Sequence, residues 1–116
     1  MQGATALWTA ARYRIPALFV IATNRSNFND EVRQEATAQI RGRPVQNKWI
    51  GQRIDDPPID IAALAPAQGI EAEGPVESWG GLVQAIEAGL AAVEAGRPHL
   101  IDVWVEPGYS TPLVTR

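Results

Sequence analysis

Few side chains in this sequence can do chemistry, and their spacing narrows the choices. There is no cysteine, which removes thiolate nucleophiles, disulfides and cysteine-bound metal. His99 is the only histidine and is expected to begin an exposed strand rather than to act on a substrate. Asp55 and Asp56 stand together as an acid/base pair would, yet Pro57 and Pro58 follow them, and a solvated turn is the expectation. Gly80-Gly81 precedes an apolar helical pattern without the surroundings of a phosphate loop, and neither Gly-x-Gly-x-x-Gly nor a Walker-type loop occurs. What remains is the polar run Thr23-Asn24-Arg25-Ser26-Asn27, with Phe28 after it. It follows an apolar strand pattern, and open α/β sheets bind ligands just beyond the carboxyl ends of their strands. Without further support such a run is simply a turn, and Arg25 a solvated cation.

The elements that would position this run are legible as alternating helices and strands. Ala4, Leu7, Trp8, Ala11 and Ile15 recur at helical spacing, and Pro16 ends that helix. Ala17 to Ala22 is apolar at every residue, as expected for a strand covered on both faces of a parallel sheet. Asn29 or Asp30 is expected to cap a second helix through Gln39, with Val32, Ala36 and Ile40 inward and Glu31 and Glu35 facing water. Residues 41–58, rich in glycine and proline, read as an irregular segment held by Val45, Trp49 and Ile54. Asp60 caps a short helix, Ile61 to Gln68, in which Pro66 predicts a kink or a late start. A short strand, Ile70 to Glu73, precedes the strongest helix, Trp79 to Ala95, which is capped by Ser78, striped by Leu82, Val83, Ile86, Leu90 and Val93, and ended by Gly96 and Pro98. A third strand runs from His99 to Val105. Trp8, Trp49, Trp79 and Trp104 are expected as core or interface anchors.

This alternation predicts an α/β fold: a partial three-layer parallel sheet with flanking helices. Only three strands are visible and the pattern opens on a helix, so the sheet is expected to be incomplete at its N-terminal side. At 116 residues there is room for one modest core. With 46% hydrophobic residues, 20% charged and a formal net charge of −3, the chain reads as globular, with no nucleic-acid partner. No apolar run is long enough for a membrane span, and the lack of cysteine suits the cytoplasm.

Ala6-Leu7-Trp8-Thr9-Ala10-Ala11, Ile15-Pro16, Phe19-Val20-Ile21 and Asn24 together resemble the C-terminal diphosphate-binding domain of thiamine diphosphate enzymes of the acetolactate synthase and benzoylformate decarboxylase type. Asn24 to Gln34, and Gly42-Arg43-Pro44 through Trp49 to Pro58, resemble the acetolactate synthase-like branch. The resemblance spans residues 1–116, read as a single partial cofactor-binding domain. In that family the cofactor motif opens with Gly-Asp-Gly and closes with an asparagine pair. Only the closing half is matched: Asn24 stands for the second asparagine, Thr23 stands where the first commonly is, and Gly-Asp-Gly would fall before Met1.

The resemblance implies that Asn24 and the carbonyl of Ser26 ligate Mg²⁺ or Ca²⁺, with Asn27 and Phe28 beside the diphosphate. Hard, neutral oxygens suit such an ion, and the ion is needed because a diphosphate in a low-dielectric cleft must have its charge offset. It further implies a parent 2-oxo acid decarboxylase or acetolactate synthase-like carboligase, a lyase or transferase in which the cofactor is the electron sink. The partners would be a complementary pyrimidine-binding domain, which carries the activating glutamate, and further copies in a homo-oligomer. No catalytic side chain is assigned to this chain. In isolation it is expected to bind cofactor weakly, to turn over nothing and to self-associate through an open sheet edge. The alternative is a non-catalytic interaction or regulatory module that keeps the fold without the chemistry.

Overall fold

A computed structural model of the chain describes residues 3–108, which divide into two compact units. The first comprises residues 3–23 and 60–105, and the second residues 24–59 with 106–108.

In the first unit three parallel strands, β1 (Leu18–Thr23), β2 (Glu71–Val76) and β3 (His99–Trp104), lie in the order β1-β3-β2. The α/β fold class expected from the alternation is therefore present. Helices α1 (Ala4–Tyr13) and α3 (Ile61–Ala67) cover one face of the sheet, where Leu7, Ala10, Ala65, Ile70 and Leu100 form a buried cluster with Phe19 and Ile21 against it. Helix α4 (Trp79–Glu94) covers the other, where Ile101, Val76 and Ala85 are buried with Leu18, Leu82 and Ile86. Asp60 caps α3 by accepting from the Ala63 N–H at 2.7 Å, and Ser78 caps α4 by accepting from the Gly81 N–H at 3.1 Å.

Several expectations are corrected here. Among the described residues β1 pairs with β3 alone, and Val20 is 51% exposed instead of covered on both faces. β3, with neighbours on both sides, is the central strand, and His99 at its start is buried at 8% exposure. Both His99 ring nitrogens lack a hydrogen-bond partner among the described residues. The buried face of α4 is made of Ala85, Gly89 and Ala92, while Val83 and Leu90 of the expected stripe are exposed. Small residues win there because the helix lies close to the sheet: a Cβ on Gly89 would sit 2.5 Å from Leu18 Cδ1 and 3.3 Å from the His99 ring. α3 starts at Ile61 without delay, and Pro66 falls in its last turn, where the helix stops one residue later. Trp8, Trp49 and Trp79 are all exposed.

β2 is longer than expected because the chain continues past Gly74-Pro75, with a shift in register between Glu73 and Val76. Gly74 has φ +150°, and a Cβ there would lie 2.8 Å from both Cβ and the carbonyl oxygen of Asp102. Asp102 is 1% exposed and its carboxylate accepts a hydrogen bond of 2.5 Å from the Thr23 hydroxyl. Adjacent strands therefore meet at a buried acid that leaves no room for a side chain at position 74.

The second unit contains α2 (Phe28–Ile40) and an irregular segment of turns. The inward face expected of α2 is reversed. Ile40 is 86% exposed and Val32 and Ala36 are exposed too, whereas Glu31 is 4% exposed. Glu35 pairs with Lys48. Asp55 and Asp56 lie exposed in a turn closed by an Asp55–Pro58 bridge, as expected.

Gly74→Ala is expected to lower the urea midpoint without changing the slope, at a cost of about 1–3 kcal/mol from backbone strain and overpacking. Gly80→Ala, whose methyl meets open space in the first turn of α4, is expected to be neutral or to stabilise by up to about 1 kcal/mol. Far-UV circular dichroism of both variants in urea checks the pair, and equal midpoints would contradict the packing described.

Candidate functional site

Asn24 to Phe28 occupies the first residues of the second unit and leads directly into α2. Its backbone is set by pairing with the segment around Arg53. The Ile54 N–H donates to the Arg25 carbonyl at 2.8 Å, and the Asn27 N–H donates to the Gln52 carbonyl at 2.9 Å. These two bonds flank an isolated antiparallel bridge between Ser26 and Arg53. In such a wide pair the central residues exchange no bonds, so the N–H and C=O of Ser26 are turned away from the partner segment. The Ser26 N–H is taken by the Asn24 side chain, whose Oδ1 accepts it at 3.0 Å. No backbone N–H among the described residues donates to the Ser26 carbonyl. Arg25, between them, has φ +54°, in the left-handed region.

Side chains hold this conformation from behind. The Ser26 hydroxyl donates to the carboxylate of Glu31, one turn into α2, and Arg53 Nε lies 3.8 Å from the same carboxylate oxygen. Glu31 was expected to face water. It is buried because it serves as acceptor for the loop, and a carboxylate so enclosed needs these donors. Sequence periodicity gave no signal for this role, since an acid early in a helix is ordinary dipole complementation. Asp102, also overlooked, did carry a signal, as the one charged residue in the apolar run Leu100 to Val105.

Asn24, Ser26, Asn27 and Phe28 line one cavity of about 310 Å³, together with Asn29 and the acidic Asp30. Asn24 and Ser26 are half-buried there and Asn27 is exposed. Asn27 is the N-cap residue of α2, yet its side chain makes no capping hydrogen bond. The helix therefore presents its positive end at this cavity without an internal side-chain acceptor, which is the setting in which helix N-termini take anions. For a cation the oxygens are Asn24 Oδ1, whose second lone pair is not used by Ser26, and the Ser26 carbonyl. Both are hard and neutral, of the kind Mg²⁺ and Ca²⁺ accept. Among the described residues no three His, Cys, Asp or Glu side chains form a metal cluster. Thr23 belongs to other work, since its hydroxyl goes to Asp102.

Residues 1–103 match the family model described as "Thiamine pyrophosphate enzyme, C-terminal TPP binding domain". Searches of curated proteins and of solved structures gave no match.

Glu31→Ala is expected to cost about 1–3 kcal/mol in unfolding free energy, because it strands the Ser26 hydroxyl. Glu31→Gln keeps an acceptor oxygen and is expected to cost less. Thermal denaturation of the two variants checks the order, and a Glu31→Ala protein as stable as the parent would remove the buried acceptor from the account.

Proposed function

Since the chain belongs to the family of C-terminal TPP-binding domains of thiamine pyrophosphate enzymes, we propose that its Asn24–Phe28 loop holds the diphosphate of that cofactor through a divalent ion. The observation that carries this reading is that four of the loop's five residues, Asn24, Ser26, Asn27 and Phe28, share one cavity at the start of α2. Asn24 Oδ1 and the Ser26 carbonyl would hold Mg²⁺ or Ca²⁺, while Asn27 and Phe28, at the positive end of α2, would lie beside the phosphate oxygens.

When bound, the cofactor supplies an electron sink for carbanions formed from a 2-oxo acid, in decarboxylation or carboligation of the acetolactate synthase type. The loop's part is to anchor and orient. A fixed Ser26 carbonyl and a fixed Asn24 amide spare the reorganisation that a mobile loop would need each time the ion binds. No residue of the loop moves a proton, so the chain contributes no catalytic side chain and is inactive alone. In this proposal residues 1–116 act as a single partial cofactor-binding domain within a larger oligomeric lyase or transferase. The partner is a pyrimidine-binding domain that supplies proton chemistry. We place the enzyme in the cytoplasm; no described helix is long and apolar enough to cross a membrane.

A second reading is a non-catalytic interaction module of the same fold. It is favoured by Thr23, which stands in for the first asparagine of the family motif and is committed to Asp102.

The two readings separate in an NMR titration of the chain with thiamine diphosphate and Mg²⁺. Cofactor binding predicts weak, saturable shifts confined to the amides of Asn24, Ser26, Asn27 and Phe28. These should vanish without Mg²⁺ and weaken at least tenfold, about 1.4 kcal/mol, in Asn24→Ala. Absence of loop shifts at millimolar cofactor would leave the non-catalytic module.

A further inference from the structure

The second unit carries another concavity, of about 470 Å³, on the side of α2 that presents Arg33, Thr37 and Arg41. Residues four apart follow one another along a helix face, and the backbone rises about 12 Å from Arg33 to Arg41. Arg43 and Gln52, from the irregular segment, line it as well. None of the three guanidinium groups makes an ion pair or hydrogen bond among the described residues, whereas Lys48 and Arg53 of the same unit are engaged by Glu35 and Glu31. Among the described residues Asp30 is the only acid in the lining, so three arginines face one acid in a chain whose formal net charge is −3.

Charge, shape and lining chemistry define the ligand class. Guanidinium groups present planar forks of N–H donors that match phosphate oxygens two at a time, and the Thr37 hydroxyl and Gln52 amide add neutral donors between them. Three cations spread along the helix suit an anion of more than one charge better than a single small ion. Among the described residues no aromatic side chain lines the concavity, which argues against stacked nucleic-acid bases. We propose that this face of α2 binds a small molecule bearing two or more phosphate charges, at a site separate from the cofactor loop. Asp30 is the only residue common to the two cavities, and the proposal stands whether or not the loop binds thiamine diphosphate.

Isothermal titration of the full chain at low salt and without divalent metal tests it, with inorganic phosphate, pyrophosphate and ATP as probes. Saturable binding of pyrophosphate or ATP, tighter than that of inorganic phosphate, is expected. The preferred probe of the two reports whether the ligand is a bare polyphosphate or a nucleotide. The Arg33→Ala, Arg41→Ala double variant should bind at least tenfold more weakly. The Arg33→Lys, Arg41→Lys double variant, which keeps charge but loses the forks, should fall between the two. Asn24→Ala should bind as the parent does. No saturable binding would overturn the proposal and leave a solvated basic face. So would inorganic phosphate binding as tightly as the others, unchanged affinity in the alanine variant, or loss of affinity in Asn24→Ala, which would put the anion at the cofactor loop instead.

Discussion

Glu31 accepts the Ser26 hydroxyl from a position almost wholly removed from solvent, and the conformation of the candidate site depends on that contact. The short irregular run ahead of α2 must hold one carbonyl and one amide in place against considerable backbone freedom. The loop does this by borrowing order from its neighbours. Two backbone bonds tie it to the segment around Arg53, an internal bond from Ser26 N–H to Asn24 Oδ1 tightens it, and the buried carboxylate fixes its side-chain face. Removing the acceptor would leave a hydroxyl without a partner and a loop free to sample other turns, so an acid outside the proposed ligand set would govern the geometry of Asn24 and Ser26. The irregular segment at 41–59 earns its length here, because the residues that pair with the loop come from it.

In the sheet unit a different buried acid sets the terms. Asp102, on the central strand, takes the Thr23 hydroxyl from β1 and excludes any side chain at position 74 of β2. Strand pairing, register shift and glycine requirement thus meet at one residue. The Thr23 hydroxyl is thereby engaged inside the sheet unit and not in the loop that follows it.

Much of the fold was legible because local signals were strong. Asp60 and Ser78 cap helices where their types and positions predicted, and alternating apolar runs located all three strands. The errors share one cause. Periodicity says which residues lie on the same face, but what covers that face depends on strand order and on neighbouring segments. An all-apolar run at 17–22 reads as a strand covered on both faces, yet Val20 is half exposed. The apolar stripe of α2 was assigned inward, while the inward position went to Glu31 because a loop hydroxyl and Arg53 awaited it there. Large residues were expected to bury on α4, but close approach to the sheet selected Ala85, Gly89 and Ala92. The loop itself was found through its resemblance to a family motif, and its supporting carboxylate was not, since its burial depends on contacts that periodicity does not encode.

In the proposed function, oxygens of Asn24 and Ser26 grip a divalent ion bound to a diphosphate. Mn²⁺ in place of Mg²⁺ probes this directly, because its unpaired electrons broaden NMR signals of nearby nuclei. With thiamine diphosphate present, the account predicts selective broadening of the Asn24, Ser26 and Asn27 amides at low Mn²⁺. Broadening centred instead on exposed acids such as Asp55 and Asp56, with the loop signals untouched, would contradict it.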